Sequence, residues 1–422
     1  METEEKMHIA ERYKYLRIMQ GRYRQASRQE REQLLDEMVS VTGLHRKSLI
    51  RLMKGDLQRR PRSQERGALY GPEVTSALAV IWESLDYVCA ERLTPKLVEM
   101  AQHLEACGEL VTTPELLEQL GRISLSTVER RLRTLRPERP RRRGQTRPSG
   151  PPLTRDIPMG RLPWDLSVPG YLEADLVHHC GVSASGEYVH TLQVVDIATG
   201  WSERAALLGR SYRAMEDAFR RILRRLPFAV IEIHPDNGSE FFNAHLLRFF
   251  GEAVHGVRLS RSRPYHKNDN RIVEQKNGSL VRSFLGYERL DTVAQTLALN
   301  RLYEKMGWYC NLFQPVLHLQ EKVYLPAEGN RPARIQRRHD RAQTPFERLC
   351  ATGGISPERR QHLEALRAQI NPRRLRQEIY ALVDYILDLP GAVPGQPEDV
   401  FQTLEVYTIS EEVALPFGNI IN

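Results

Sequence analysis

The chain has 422 residues, 41% of them hydrophobic, so two to four packed domains are expected and a disordered chain is excluded. Lys and Arg outnumber Asp and Glu 61 to 53, a net charge of +8 that favours a polyanionic partner. The start, Met1 to Lys6, lacks a secretory apolar stretch, no run can span a bilayer, and Cys89, Cys107, Cys180, Cys310 and Cys350 form no C-x-x-C pair. These features lead us to expect a soluble, cytoplasmic, nucleoid-associated protein without membrane contact. No P-loop is present, and Gly181, Ser183 and Ser185 start a nucleophile elbow that lacks its closing Gly.

In chain order, residues before about 140 read as helical. Ser27 and Glu30 have capping-box spacing and open an amphipathic run through Leu34, Leu35, Met38 and Val41. Thr42 and Gly43 break it, and a short basic helix follows over His45–Met53, offering Arg46 and Lys47 to a groove. Thr94-Pro95 is expected to cap a helix carrying Leu97, Met100, Ala101 and Leu104. Thr113-Pro114 repeats the device for Leu116, Leu117 and Leu120. Gly121 is the expected turn. In the following helix Leu125, Val128 and Leu132 are expected to face the core, while Ser126, Thr127, Arg130 and Arg131 face DNA. Two such helix, turn, basic-helix patterns suggest duplex recognition.

From Arg122 to Arg155 there are eleven Arg and two Glu, an excess of nine that exceeds the net charge of the chain. The Pro and Gly around Arg139–Pro152 prevent a regular helix, so this reads as an extended basic linker, with Arg141, Arg142 and Arg143 on DNA backbone.

Beyond the linker the texture turns to β. Strands are expected at Tyr171–His179, Glu187–Asp196 and Trp201–Leu208, forming an antiparallel meander. An amphipathic helix over Tyr212–Arg225 follows, with Met215, Ala218, Phe219, Ile222 and Leu223 inward. A buried strand is expected at Phe228–His234, a helix at Ala244–Glu252, a strand at Val257–Ser260 and a helix at Ile272–Leu285. That order gives a mixed five-stranded sheet between helices. His178, His179 and Cys180 are neighbours on a strand, so they alternate faces and read as packing rather than as a metal site.

Three acids stand out. Glu173 and Asp175 share one face of the first strand, where a carboxylate is costly unless it is paired or holds a cation. Asp236 follows the fourth strand, and Glu274 lies in the first turn of a helix after a basic loop. Glu173 and Glu240 are the alternatives to Asp175 and Asp236. All-oxygen ligands indicate Mg²⁺ or Mn²⁺, and acids from three elements can converge on a pair of ions. Lys267 and Lys276, near Glu274, are expected to touch DNA, and the Asn237-Gly238 pair to form a turn beside the site.

These segments resemble the D,D,E catalytic core of bacterial insertion-sequence transposases and retroviral integrases, which has an RNase H-like fold. The matching stretches are Gly170–Val177, Val195–Trp201, Pro235–Phe241, Ser262–Asp269 and Val273–Asn277. Sixty residues separate Asp175 from Asp236 and thirty-seven separate Asp236 from Glu274, a slightly longer second gap than usual. The resemblance favours Asp175, Asp236 and Glu274 as catalytic, metal-binding acids holding two Mg²⁺ or Mn²⁺ ions. It implies a DNA transposase that binds the ends of a mobile element, nicks them and joins the 3′-OH ends to target DNA. It also implies a homo-oligomer assembled on double-stranded DNA. The expected layout has helix-turn-helix domains at residues 1–60 and 61–138, the linker at 139–160, the α/β core at 161–320 and a partly helical region at 321–422 for DNA or protomer contact. A regulator that keeps the fold without the chemistry, or a plain nuclease, would be the alternatives.

In the last hundred residues Gly329–Arg341 reads as a second basic linker. Helices are expected at Pro357–Arg367 and Pro372–Leu387, and one strand at Val400–Ile409.

Overall fold

The computed structural model describes residues 7–55, 70–135, 167–235, 256–262, 270–326 and 334–405, with residues 57, 137, 241, 246 and 248–250 between them. The linker at 139–160, the Asn237-Gly238 pair, most of the helix expected at 244–252 and the end of the last expected strand lie outside the described residues. The chain divides into two compact units, Met1–Leu69 and Tyr70–Asn422.

The first unit holds α1 (Ile9–Gln25), α2 (Arg28–Thr42) and α3 (Arg46–Lys54). Ser27 and Glu30 form the expected reciprocal cap, with the Ser27 N–H donating to Glu30 at 2.8 Å. Gly43 ends α2 at φ +65°, a left-handed conformation that glycine adopts without a Cβ clash. Leu16, Met19, Leu34, Leu35, Met38, Leu49, Met53 and Leu57 make the core. The α1 helix had no counterpart in the sequence reading, because its apolar residues Leu16 and Met19 are only three apart among many charges.

The second unit opens with α4 (Pro72–Ser84), α5 (Ala90–Leu93), α6 (Leu97–Ala106), α7 (Pro114–Arg122) and α8 (Leu125–Leu132). Thr94 does not begin a helix. The chain is already helical at Ala90, Thr94 donates its hydroxyl to Ala90 O at 2.7 Å, and a 3₁₀ turn over Thr94–Lys96 absorbs the N–H that Pro95 lacks. Thr113 does cap α7, accepting from the Leu116 N–H at 3.2 Å. Gly121 lies inside α7, and the turn falls instead on Ile123 and Ser124, which are extended rather than left-handed.

The sheet contains β1 (Tyr171–His178), β2 (Val189–Asp196), β3 (Ser202–Leu208), β4 (Glu232–Pro235) and β5 (Arg258–Leu259), in the order β3-β2-β1-β4-β5. The first three are the antiparallel meander, while β4 and β5 run parallel to β1. Phe228 and Val230 bury their side chains before strand pairing starts at Glu232, so β4 begins later than its hydrophobicity suggests. Gly170 sits at φ +110° where β1 starts, and a Cβ there would come within 2.5 Å of Ala229 O. The β2–β3 turn is tied by Asp196, which accepts from Gly170 N, Thr199 N and Thr199 Oγ1 at 2.6–2.8 Å.

One sheet face is covered by α9 (Tyr212–Arg225), which buries Met215, Ala218, Phe219, Ile222 and Leu223. The other face is covered by α10 (Arg271–Lys276), continued by a π-helical stretch Asn277–Arg282 and a final turn Ser283–Leu285, and by α11 (Val293–Leu312). Two side chains of α11 seal the outer edge of β3. Asn300 accepts from Ala206 N and donates to Ala206 O at 2.9 and 3.0 Å, and Asn311 does the same for Ser202 at 2.9 and 3.1 Å. Eleven residues apart on a helix, the two amides share a face and act as a substitute strand.

A two-stranded ribbon, β6 (Leu319–Leu325) and β7 (Arg334–His339), precedes α12 (Pro345–Thr352), α13 (Pro357–Gln369) and α14 (Pro372–Asp388). Part of the expected second basic linker is therefore a strand, because Leu319–Leu325 supplies a pairing partner. Val400–Thr403 is a 3₁₀ turn capped by Asp399, not the start of a strand. Helices α4–α8 join the sheet in one unit through contacts such as Tyr309 Oη to Ser84 O at 2.8 Å and Arg373 to Glu83 at 2.8 Å. No helix among the described residues is long and apolar enough to cross a membrane.

Candidate active site and DNA-facing surfaces

The site is built where β1 meets α10. Asp175 is half-buried in mid-strand. Its Oδ1 accepts from the Leu176 N–H at 2.8 Å and its Oδ2 from the Asn277 amide at 2.6 Å. Glu274 lies in the first turn of α10 and is exposed. Asn277 is three residues further on, hence on the same side of the helix, so its bond to Asp175 draws the face bearing Glu274 onto β1.

Glu173 has a different task. Only 3% exposed, it accepts the backbone N–H groups of Ile272 and Val273 at 2.8 and 2.9 Å and so caps the start of α10. Burial pushes its carboxyl up to about 7 and the charge of Glu274 acts in the same direction, while the two N–H groups and Arg271 oppose the shift. Buried and holding the N–H groups that open α10, Glu173 is the fastener, and half-buried Asp175 is the ligand candidate of this strand. The strand-pair register also fixes β4, whose Pro235 stands opposite Ala174. Asp236, Glu240 and Lys267 lie outside the described residues. Among the described residues, no group of three or more His, Cys, Asp or Glu side chains is placed to hold a metal ion. Asp175 and Glu274, on the two joined elements, are oxygen donors of the kind a hard divalent cation takes.

Behind Asp175 a polar row crosses the sheet. Asp175 pairs in register with Gln193, and Gln193 with Arg204, all on the α10–α11 face. Gln193 and Arg204 are fully buried, and both amide atoms of Gln193 with Nε and Nη1 of Arg204 find no hydrogen-bond partner among the described residues. The sequence reading missed this row and Asn277. Polar residues at alternate positions of otherwise apolar strands were the available signal. His178 and His179 pack as expected: His179 bonds Thr191 at 2.8 Å, and the His178 ring lies 4.8 Å from that of His190. Burial pushes His179 down to about 3 and His190 to about 2, so both are neutral.

The residues expected to face DNA divide into two groups. Lys47, Ser126 and Arg130 are exposed. Thr127 is half-buried and bonds Ser124 at 2.9 Å. Arg46 is ion-paired with Asp36. Arg131 is turned inward: it donates to Tyr70 O at 2.5 Å, bonds Thr75 and Gly71 O, and lies over the Tyr70 ring, so it anchors the start of α4 instead of facing a groove. Leu125, expected in the core, is 41% exposed; α8 buries Val128 and Leu132 only. Lys276 is half-buried, and burial pushes its amine down to about 8, with Arg92, Arg204 and Arg348 acting in the same direction. Arg141, Arg142 and Arg143 lie outside the described residues.

Comparison with known proteins places the chain in a family. It is 37% identical over 322 residues to the uncharacterized protein y4rM of Sinorhizobium fredii (strain NBRC 101917 / NGR234), covering 76% of this chain and 91% of that one. The chain belongs to the family of that protein. No family model matches it. Among solved structures it is similar to the catalytic core domain of BIV integrase, at 17% identity and a TM-score of 0.22, over 28% of this chain and 70% of that one.

Proposed function

We propose that the protein is a metal-dependent DNA transposase of the D,D,E class. The observation that carries this reading is the joining of β1 to α10. A strand bearing a half-buried aspartate and a helix start bearing an exposed glutamate are tied to each other by Glu173 and Asn277. In this reading Asp175, Asp236 and Glu274 hold two Mg²⁺ or Mn²⁺ ions. When bound, the ions lower the pKa of the attacking hydroxyl and stabilise the leaving 3′-oxygen. The protein's own residues set the geometry: Glu173 fixes the first turn of α10, and Asn277 orients Asp175 by engaging one of its oxygens. Water attacks the phosphodiester at an element end, forming one P–O bond as the bond to the 3′-oxygen breaks. The freed 3′-OH then attacks target DNA in the same way. Lys47, Ser126 and Arg130 offer groups to duplex DNA. Two protomers, one per element end, would assemble on the DNA, because the chain carries a single such set of acids.

The test incubates the full chain with duplexes carrying the DNA that flanks its own gene. Mg²⁺ or Mn²⁺ should support end nicking and strand transfer, and Ca²⁺ binding alone. Asp175→Asn, Asp236→Asn and Glu274→Gln should each stop both reactions while leaving duplex binding within a few-fold. Full nicking by any of these variants would remove that residue from the site, and metal-independent nicking would overturn the class.

A further inference from the structure

Asn277 holds Asp175 with one half of its amide and leaves the other half unused. Its Nδ2 donates to Asp175 Oδ2 at 2.6 Å, while its Oδ1 is buried and finds no hydrogen-bond partner among the described residues. Helix α10 packs on both β1 and β2. The β2 residue level with Asp175 is Gln193, and level with Gln193 on β3 is Arg204. Both are 0% exposed. They add four more polar atoms without a partner among the described residues, Oε1 and Nε2 of Gln193 and Nε and Nη1 of Arg204. The remaining Arg204 nitrogen, Nη2, reaches Ser202 O at a long 3.4 Å. Two residues along β2 the situation differs, for Thr191 bonds Tyr303 at 2.5 Å and His179 at 2.8 Å.

Burying a polar atom without a partner forfeits its hydration, and a Leu or Met at position 193 would fill the same space without that loss. Orphaned atoms of this kind call for a role. Their chemistry fixes one order. A carboxylate only accepts, so the Asn277 amide turns its NH₂ to Asp175 and its oxygen away from it. That oxygen needs a donor, which Nε2 of Gln193 supplies. Oε1 of Gln193 then needs a donor in turn, and a guanidinium has only donors to give. From Arg204 through Gln193 and Asn277 to Asp175 the donors and acceptors alternate without a mismatch. Neighbouring strands lie about 4.8 Å apart, a gap that Gln and Arg side chains bridge directly or through one water.

We propose that Gln193 is a positioning residue for Asp175, acting through Asn277, with Arg204 fixing which way its amide points. The inference rests on the reading of Asp175 as a metal ligand and deepens it by naming what sets the orientation of that ligand. Carboxylates that hold a cation are themselves held by outer hydrogen bonds, and losing such a bond typically weakens the metal about 10- to 100-fold. Rotation of the Gln193 side chain closes the row and locks the Asn277 amide, so that Asp175 meets the cation in one orientation. Hydrogen bonds in a chain polarise one another, which carries the influence of the Arg204 charge along the two amides. Gln193 and Arg204 are fully buried and act only through their neighbours.

The experiment titrates Mn²⁺ into the full chain, reads the free ion by electron paramagnetic resonance, and records unfolding midpoints without metal. Gln193→Leu should weaken Mn²⁺ binding about ten-fold or more while its midpoint stays at or above the parent's, since an unmatched amide has been removed. Gln193→Met repeats the measurement should the Leu variant fail to fold. Arg204→Met should weaken Mn²⁺ in the same direction by less. In an Asn277→Ala background, Gln193→Leu should add no further loss, because its route to Asp175 is already cut. Thr191→Val serves as the control on the same strand: its midpoint should fall and its Mn²⁺ affinity should not. If Asp175→Asn abolishes Mn²⁺ binding while the Gln193 and Arg204 variants bind as the parent does, the positioning role is wrong and the metal reading of Asp175 stands. A full additional loss in the Asn277→Ala background, or an equal loss in Thr191→Val, also sinks the inference. A parent chain that binds no Mn²⁺, or an Asp175→Asn variant that binds it unchanged, overturns both readings.

Discussion

The two faces of the central sheet are made from the same three long strands and follow different rules. Against α9 the strands present Leu172, Ala174, Leu176, Leu192, Val194, Ala205 and Leu207, an apolar surface that answers the apolar stripe of the helix. Against α10 and α11 the same strands present Glu173, Asp175, Gln193 and Arg204 before turning apolar at Val177, Val189, Ala206 and Leu208. One face is organised by apolar burial, and the other buries polar groups beside the carboxylates. The difference separates residues that hold the sheet from residues the sheet holds in place.

The comparison breaks most sharply in the carboxylates. Asp175→Asn and Glu274→Gln should reduce strand cleavage at least about 10³-fold, roughly 4 kcal/mol of transition-state stabilisation, with unfolding midpoints close to the parent. Large destabilisation by both would make them structural acids. Across the sheet, Phe219→Ala should show the reverse. Phe219 is 1% exposed and its ring lies 4.9 Å from that of Phe250, so truncation should cost about 3–5 kcal/mol in denaturant unfolding. A cost under about 1 kcal/mol would mean that the α9 face is not the anchoring one.

Acid should act on the polar side. His179 and His190 have folded values pushed down to about 3 and about 2, against an unfolded 6.5. Above that value both states are neutral and nothing changes. As pH falls below it the unfolded chain takes up protons that the folded chain refuses, so stability is lost, by about 2 kcal/mol per residue at pH 5. Glu173 and Asp196, pushed up to about 7 and about 6, take up protons in the folded chain over the same window and act the other way, so the histidine effect is read as a difference. From pH 7 to pH 5 the thermal midpoints of His179→Asn and His190→Asn should rise relative to the parent's, and an unchanged difference would place the protons elsewhere. The smallest effect is expected at Glu173. Ala at this position leaves two N–H groups of α10 without their acceptor, at about 1–3 kcal/mol, whereas Gln keeps an acceptor and should cost less. If Ala and Gln behave alike, Glu173 does not cap α10.

Much of this was legible in the sequence where periodicity and pairing agree. The capping box at Ser27, the mixed five-stranded sheet and the inward face of α9 followed from spacing alone, and the strand placement of Asp175 and the helix-start placement of Glu274 were read the same way. What escaped depends on contacts between distant segments. Nothing near Arg131 announces that it turns back to Tyr70, sixty-one residues away, and its spacing on α8 looks like that of Arg130. Asn277 reads as a polar helix residue until Asp175 is placed beside it, 102 residues earlier in the chain. The basic stretch at Arg334–His339 looks like a linker because a ribbon declares itself only when its partner strand is known.

The two asparagines along β3 have a consequence for how copies of this chain can meet. An open strand edge is a template on which another chain can add a strand, the usual start of domain swapping and fibrous aggregation. Here the amides of Asn300 and Asn311 fill that template from within the same molecule, and the strand at the opposite side of the sheet, Arg258–Leu259, is only two residues long. Extension of the five-stranded sheet is thus closed at β3, and copies of this protein that meet must associate through surfaces other than that edge.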